Sequence, residues 1–154
     1  MRYIRRGMEN TFLRLSKEFA ALLLTGPRQA GKTTMLQKLA QEENIGRDYV
    51  TLDDLTERET AKNDPKMFLQ IHKPPVFIDE VQYAPELFPY IKIHIDQNHR
   101  PGDFWLTGSQ VFKLMHGVQE SLAGRVCLLH MSPMSQAEIC GAVTEPFELD
   151  FERL

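Results

Sequence analysis

Short apolar runs alternate along this chain with longer amphipathic stretches, the pattern of an α/β domain built on a parallel sheet. Five runs predict buried strands: Phe19–Thr25, Asp48–Leu52, Pro75–Ile78, Asp103–Thr107 and Arg125–His130. They are too short for helices, and Gly, Pro or Asp bounds several of them. Helices fill the intervals. Thr11–Lys17 precedes the first strand, and Lys32–Glu43 sets Met35, Leu36 and Leu39 on one face. Asp64-Pro65 reads as an N-cap followed by proline at the first helical position, opening Pro65–His72. Ala84-Pro85 introduces Glu86–Gln97 in a similar way. Ser109–Leu122 reads as a helix broken near Gly117, and Ser135–Glu138 fits a capping box for a final short helix. The last ten residues show no clear pattern.

Composition narrows this picture only a little. The 154 residues suit one domain, and 42% hydrophobic residues can furnish its core. A formal charge of −3 gives no overall electrostatic case for nucleic acid. Arg2, Arg5, Arg6, Arg14 and Lys17 crowd the start, while Glu145, Glu148, Asp150 and Glu152 crowd the end. Both clusters read as solvated surface, the competing reading being a contact surface for a partner or a further segment of the protein. Cys127 and Cys140 lack CxxC spacing, and Cys127 sits in an apolar run as a buried thiol would in a reducing compartment. No stretch reaches the roughly 18 apolar residues of a membrane span, and no secretory h-region follows the first arginines. The expectation is a cytoplasmic protein without a membrane partner. His72, His94, His99, His116 and His130 are scattered without metal-ligand spacing, and Asp53-Asp54 reads as a loop or helix cap.

Residues 26–33, Gly-Pro-Arg-Gln-Ala-Gly-Lys-Thr, change the picture more. GxxxxGK[ST] arises by chance in fewer than about one in a hundred chains of this length. Here it lies between an entering strand and a departing helix, the context the Walker A loop requires. Gly26 and Gly31 let the backbone take φ > 0 and pass close to phosphate oxygens, so that successive N–H groups and the helix N-terminus converge on the anion. Lys32 is placed for the β- and γ-phosphates and the Thr33 hydroxyl for Mg²⁺. Pro27 shapes the loop without donating. Arg28 and Gln29 are open between loop surface and ligand, and Ala30 and Thr34 complete the expected nucleotide-binding stretch 26–34.

Pro75–Glu80 is an apolar run ending in two carboxylates, a Walker B strand with an extra acid. Asp79 is placed to hold magnesium and Glu80 to orient and polarise an attacking water. Hydrolytic ATPases of the additional-strand group carry this glutamate, whereas small-molecule P-loop kinases and GTPases typically do not. In that group the strand between the two Walker strands ends in a polar residue that senses the γ-phosphate. Ser109 is the first candidate, ahead of Gln110 and Thr107, and helix capping by Ser109 is the competing reading. Arg125, just before the fifth strand, can project towards a neighbouring subunit's nucleotide or bond the carbonyls at its own helix end. Tyr83, Phe88 and Tyr90 read as helix packing rather than base stacking.

Four segments together, Leu24–Thr34, Phe77–Phe88, Leu106–Gln110 and Glu120–Val126, resemble one family. It is the predicted AAA-superfamily ATPases of bacteria and archaea that join an N-terminal ATP-binding domain to a C-terminal domain of unknown function. The resemblance implies a P-loop fold with parallel strand order 5-1-4-3-2 and helices on both faces, ATP and magnesium as ligands, and nucleotide hydrolysis. It carries Lys32, Thr33, Asp79, Glu80, Ser109 and Arg125 into the roles above. It also implies a homo-oligomer with Arg125 acting in trans. The expected division is an ATPase core at 1–140 and an extension at 141–154 that begins a further segment, a C-terminal domain or contact to a client. The function expected is magnesium-dependent ATP hydrolysis driving conformational change. The alternative is a nucleotide-dependent switch or interaction module with little hydrolysis.

Overall fold

The computed structural model describes residues 3–109 and 111–133. Gln110, Cys140, the Ser135–Glu138 capping box and the acidic cluster after Glu145 lie outside the described residues. The chain runs α1 (Glu9–Ser16), β1 (Ala21–Thr25), α2 (Lys32–Glu43), β2 (Asp48–Thr51), α3 (Leu55–Asn63), α4 (Pro65–Ile71), β3 (Val76–Asp79), α5 (Phe88–Asn98), β4 (Phe104–Gly108), α6 (Val111–Ser121) and β5 (Val126–His130). Two short 3₁₀ turns, Val81–Tyr83 and Pro85–Leu87, lie between β3 and α5. Among these described helices none is long and apolar enough to cross a membrane.

All strand pairs are parallel, in the order β2-β3-β4-β1-β5. Counted from the other edge this is the expected 5-1-4-3-2. β4 lies between β1 and β3, with Leu24 opposite Thr107 and Thr25 opposite Gly108. That register brings the C-terminal ends of three central strands to one rim, where open α/β sheets place their ligands.

The strand period of two sorts side chains onto two cores. Leu23, Ile78, Phe104 and Leu106 pack with Ala61, Phe68, Ile91, Leu114 and Val118 from α3 to α6. Leu22, Leu24, Phe77 and Trp105 pack on the other face with Phe12 of α1 and Met35, Leu36 and Leu39 of α2. Each fully buried leucine or phenylalanine contributes about 2 kcal/mol. β1 is buried at all five positions, as a central strand covered on both faces must be. β5, at the edge, is only half-buried.

Several element boundaries differ from expectation, and one helix was not expected. α3 escapes hydrophobic periodicity because Ala61 is its only buried residue. Its start is nevertheless a proper cap, since the Asp54 carboxylate accepts from the N–H groups of Thr56 (2.9 Å) and Glu57 (3.3 Å). α6 runs unbroken through Gly117, which lies against the Phe88 ring. The expected helix Glu86–Gln97 divides into a 3₁₀ turn and α5.

Candidate functional site

The loop between β1 and α2 is built around left-handed backbone. Gly26 has φ 153°, Gln29 64° and Gly31 93°. A Cβ on Gly26 would collide with the carbonyl oxygen of Met131, so the chain passes there only as glycine. Pro27, Arg28 and Gln29 form an exposed rim, Ala30 is buried, and Thr34 is exposed in the first turn of α2. No side chain caps α2 and no acid lies in its first turn, which leaves its N–H groups directed at the loop.

Lys32 is buried, and its Nζ donates to the carbonyls of Gly26 (2.8 Å) and Pro27 (2.7 Å). Burial pushes this ammonium below its ordinary value. The charges of Glu80 and Asp79 pull it back up, while Arg28 presses it further down. A second cation braces the loop from behind. Arg6, ahead of α1, donates to the Ala30 carbonyl and to that of Ser132 (2.7 Å). Arg6 is only 5% exposed, so this member of the basic N-terminal cluster is not the solvated charge the sequence suggests.

Two acids at the end of β3 face this loop. Asp79 gathers hydroxyls from three elements: Thr33 of α2 donates to its Oδ1 at 2.9 Å, Thr107 of β4 donates to the same oxygen, and Tyr49 of β2 donates to Oδ2 at 3.3 Å. Burial, with the Asp79 charge behind it, pushes the Tyr49 hydroxyl up to about 12, so it remains a donor. Glu80 follows in the left-handed region (φ 58°, ψ 49°), which costs a non-glycine residue about 1 kcal/mol and turns the chain out of the sheet. Its N–H donates to Thr107 Oγ1 at 3.0 Å. Its Oε2 accepts from Ser109 Oγ at 3.0 Å and from Gln82 Nε2.

The structure thus brings Lys32, Thr33, Asp79, Glu80 and Ser109 together. Thr107, a sensor candidate behind Ser109, is fully buried and ties β4 to both acids. Arg125 stands apart. Val126 pairs with Ala21 at the start of β1, so Arg125 lies at the opposite end of the sheet from its own loop. Its guanidinium forks onto Asp96 of α5 (Nε–Oδ1 2.6 Å, Nη2–Oδ2 3.2 Å) and Nη1 donates to Ala123 O (3.2 Å). Arg28 donates to the Tyr83 hydroxyl at 2.7 Å, and Arg58 of α3 lies 3.7 Å above the Tyr83 ring. Tyr83 therefore carries two cations rather than only packing a helix. His94 bonds Asp103 (3.1 Å), and His99 ends α5.

Sequence reasoning missed Arg6, Tyr49 and Gln82. Only Gln82 left a signal, an amide two residues beyond Glu80 in a stretch otherwise read for its acids. The two others are recognisable only from partners distant in sequence.

The family model described as the AAA domain matches residues 18–140. The uncharacterized proteins Rv2008c of Mycobacterium tuberculosis and Mb2031c of Mycobacterium bovis are each 34% identical to this chain over 119 residues. That alignment covers 77% of this chain and 26% of each relative, so the chain spans about a quarter of their length. Among solved structures, the Walker-type ATPase PABY2304 of Pyrococcus abyssi is similar with a TM-score of 0.56 and 20% identity. The likeness covers 88% of this chain and 55% of that one, and at this identity it speaks for the fold alone.

Proposed function

Because this chain belongs to the AAA domain family, we propose that it binds ATP at the loop 26–33 and hydrolyses it to ADP and phosphate, with Glu80 as general base. The observation that carries this reading is the meeting of Lys32, Thr33, Asp79 and Glu80 at one rim, with both acids close enough to Lys32 to pull its ammonium back up. The position of β4 between β1 and β3 supports the additional-strand group, in which such a glutamate works.

The donor set also fits a hard divalent cation. Thr33 and Asp79 present a hydroxyl and a carboxylate 2.9 Å apart, the oxygen ligands magnesium takes together with phosphate and water. When bound, magnesium neutralises charge on the phosphate oxygens. The rest of the work falls to the chain. Lys32 exchanges the carbonyls of Gly26 and Pro27 for phosphate oxygens, since an anion is the better partner for a buried ammonium. The N–H groups opening α2 take further oxygens. Glu80 draws the proton from a water whose oxygen attacks the γ-phosphorus, while the bond from that phosphorus to the bridging oxygen breaks and ADP leaves. Ser109, on the adjoining strand end, meets the γ-phosphate. A neighbouring copy's Arg125 supplies charge at the outer side, and the cycle drives motion of an attached segment.

A nucleotide-dependent switch with little hydrolysis is the second reading. It is favoured by the Arg125–Asp96 pair, which holds the arginine within its own chain. Replacement of Glu80 by Gln separates the two. The hydrolytic reading expects ATP binding to persist and phosphate release to stop; unchanged release refutes it.

A further inference from the structure

We propose that Gln82 is a positioning residue that aims Glu80 and couples its aim to Ser109. The proposal rests on the assignment of Glu80 as base. Gln82 is 5% exposed and sits in the 3₁₀ turn Val81–Tyr83, anchored by Val81 in the core. The turn is held by N–H groups of Tyr83 and Ala84 donating to the carbonyls of Glu80 (3.2 Å) and Val81 (3.1 Å). A rigid platform therefore carries the amide.

Gln82, Glu80 and Ser109 form a closed triangle. Gln82 Nε2 donates to Glu80 Oε2 and to Ser109 Oγ at 3.2 Å, and Ser109 Oγ donates to the same Glu80 oxygen at 3.0 Å. The amide's orientation follows from chemistry: turned over, its oxygen would face a carboxylate, and two acceptors would meet. Both donors fall on Oε2, which leaves Oε1 as the oxygen able to take a water's proton. The amide oxygen of Gln82, by contrast, is buried with no hydrogen-bond partner among the described residues and lies beside Gly108, 3.1 Å from where a Cβ there would sit. A buried carbonyl left unpaired is a poor way to fill space, and an apolar side chain would fill it without that loss. What the amide alone brings is the pair of N–H groups facing Glu80 and Ser109.

This arrangement has a consequence for the catalytic cycle. When the Ser109 hydroxyl turns to a γ-phosphate, Glu80 loses one of its two donors. Gln82 is then the group that keeps the carboxylate in place, and its second N–H follows Ser109. Occupancy of the phosphate site and alignment of the base become linked through one amide.

The test uses the whole chain, with ATP binding and steady-state phosphate release measured for Gln82→Glu, Gln82→Ala and Glu80→Asp. Gln82→Glu keeps the shape, replaces the donor by an acceptor and adds a negative charge beside Glu80. It should lower kcat at least about tenfold while KM and the ATP dissociation constant stay within about twofold. In the Glu80→Asp background the acid is too short to reach the amide, so adding Gln82→Ala should cost nothing more. An unchanged kcat in folded Gln82→Glu overturns the proposal. So does a parallel loss of kcat and ATP affinity, or a full additional loss on top of Glu80→Asp, because either outcome marks a packing role. Full turnover in Glu80→Gln would instead sink the base assignment and Gln82's role with it. An inactive Glu80→Gln beside an unchanged Gln82→Glu sinks Gln82's role alone.

Discussion

Two polar constellations lie at opposite ends of the same sheet, and they are built differently. At the C-terminal ends of β1, β3 and β4, Lys32, Asp79, Glu80 and Thr107 are all 9% exposed or less and bond one another or the surrounding backbone. At the other end, Arg125 and Asp96 form a bidentate pair in open water. Arg125 holds the Asp96 carboxyl below its ordinary value, yet solvent competes for both groups. Buried polar groups are costly to leave unmatched, so the first constellation is held in a fixed arrangement. The exposed pair is readily exchanged, which is what the proposed trans role of Arg125 would require.

Breaking the buried constellation should have the largest effect. Lys32→Ala removes the buried cation near both acids that is proposed to meet the phosphates, and ATP affinity should fall about 100-fold or more in a fluorescent-nucleotide titration. Affinity within a few-fold of the parent would mean the loop does not bind as argued. Arg125→Ala should leave melting temperature and ATP affinity unchanged. It should abolish any rise of specific activity with protein concentration, whereas Asp96→Asn, which frees the arginine, should steepen that rise. Equal activity per chain at all concentrations in the parent would remove the trans role.

The smallest effect concerns His72, which bridges Asp48 (2.8 Å) and Glu57 (2.9 Å) and so ties α4 to β2 and α3. Burial lowers the tendency of this imidazole to protonate, but the hydrogen bonds to Asp48 and Glu57 outweigh it and the net shift is upward. A raised folded value means the contribution is complete below the unfolded value of about 6.5 and is lost as pH rises through the folded one. Denaturant midpoints should therefore decline slightly from pH 6 to pH 8, and His72→Gln should flatten that slope. A slope that survives the substitution assigns it elsewhere.

The parts legible in the sequence are those whose physics is local. The sheet strands announce themselves because Ala21–Leu24 and Val76–Ile78 are continuous apolar runs, and the phosphate loop because its glycines, lysine and threonine are contiguous. α3 was illegible because its contacts rest on Ala61 and on Arg58, whose Nε donates to Leu52 O (2.8 Å) and whose guanidinium stacks on Tyr83. None of these makes an apolar stripe. Arg6 was misread for a similar reason, since nothing in a basic N-terminal run says which arginine turns inward to Ala30 and Ser132. The site's long-range ties, Thr107 to Asp79 and Ser109 to Glu80, depend on β4 lying beside β3. The family resemblance implied that adjacency; hydropathy alone did not.

The most direct test of the central claim is a single-turnover measurement on ATP bound before mixing. The parent chain should convert bound ATP to ADP and phosphate, whereas Glu80→Gln, binding ATP with the same affinity, should hold it intact over the same time. Conversion at equal rates in the two proteins would contradict the account.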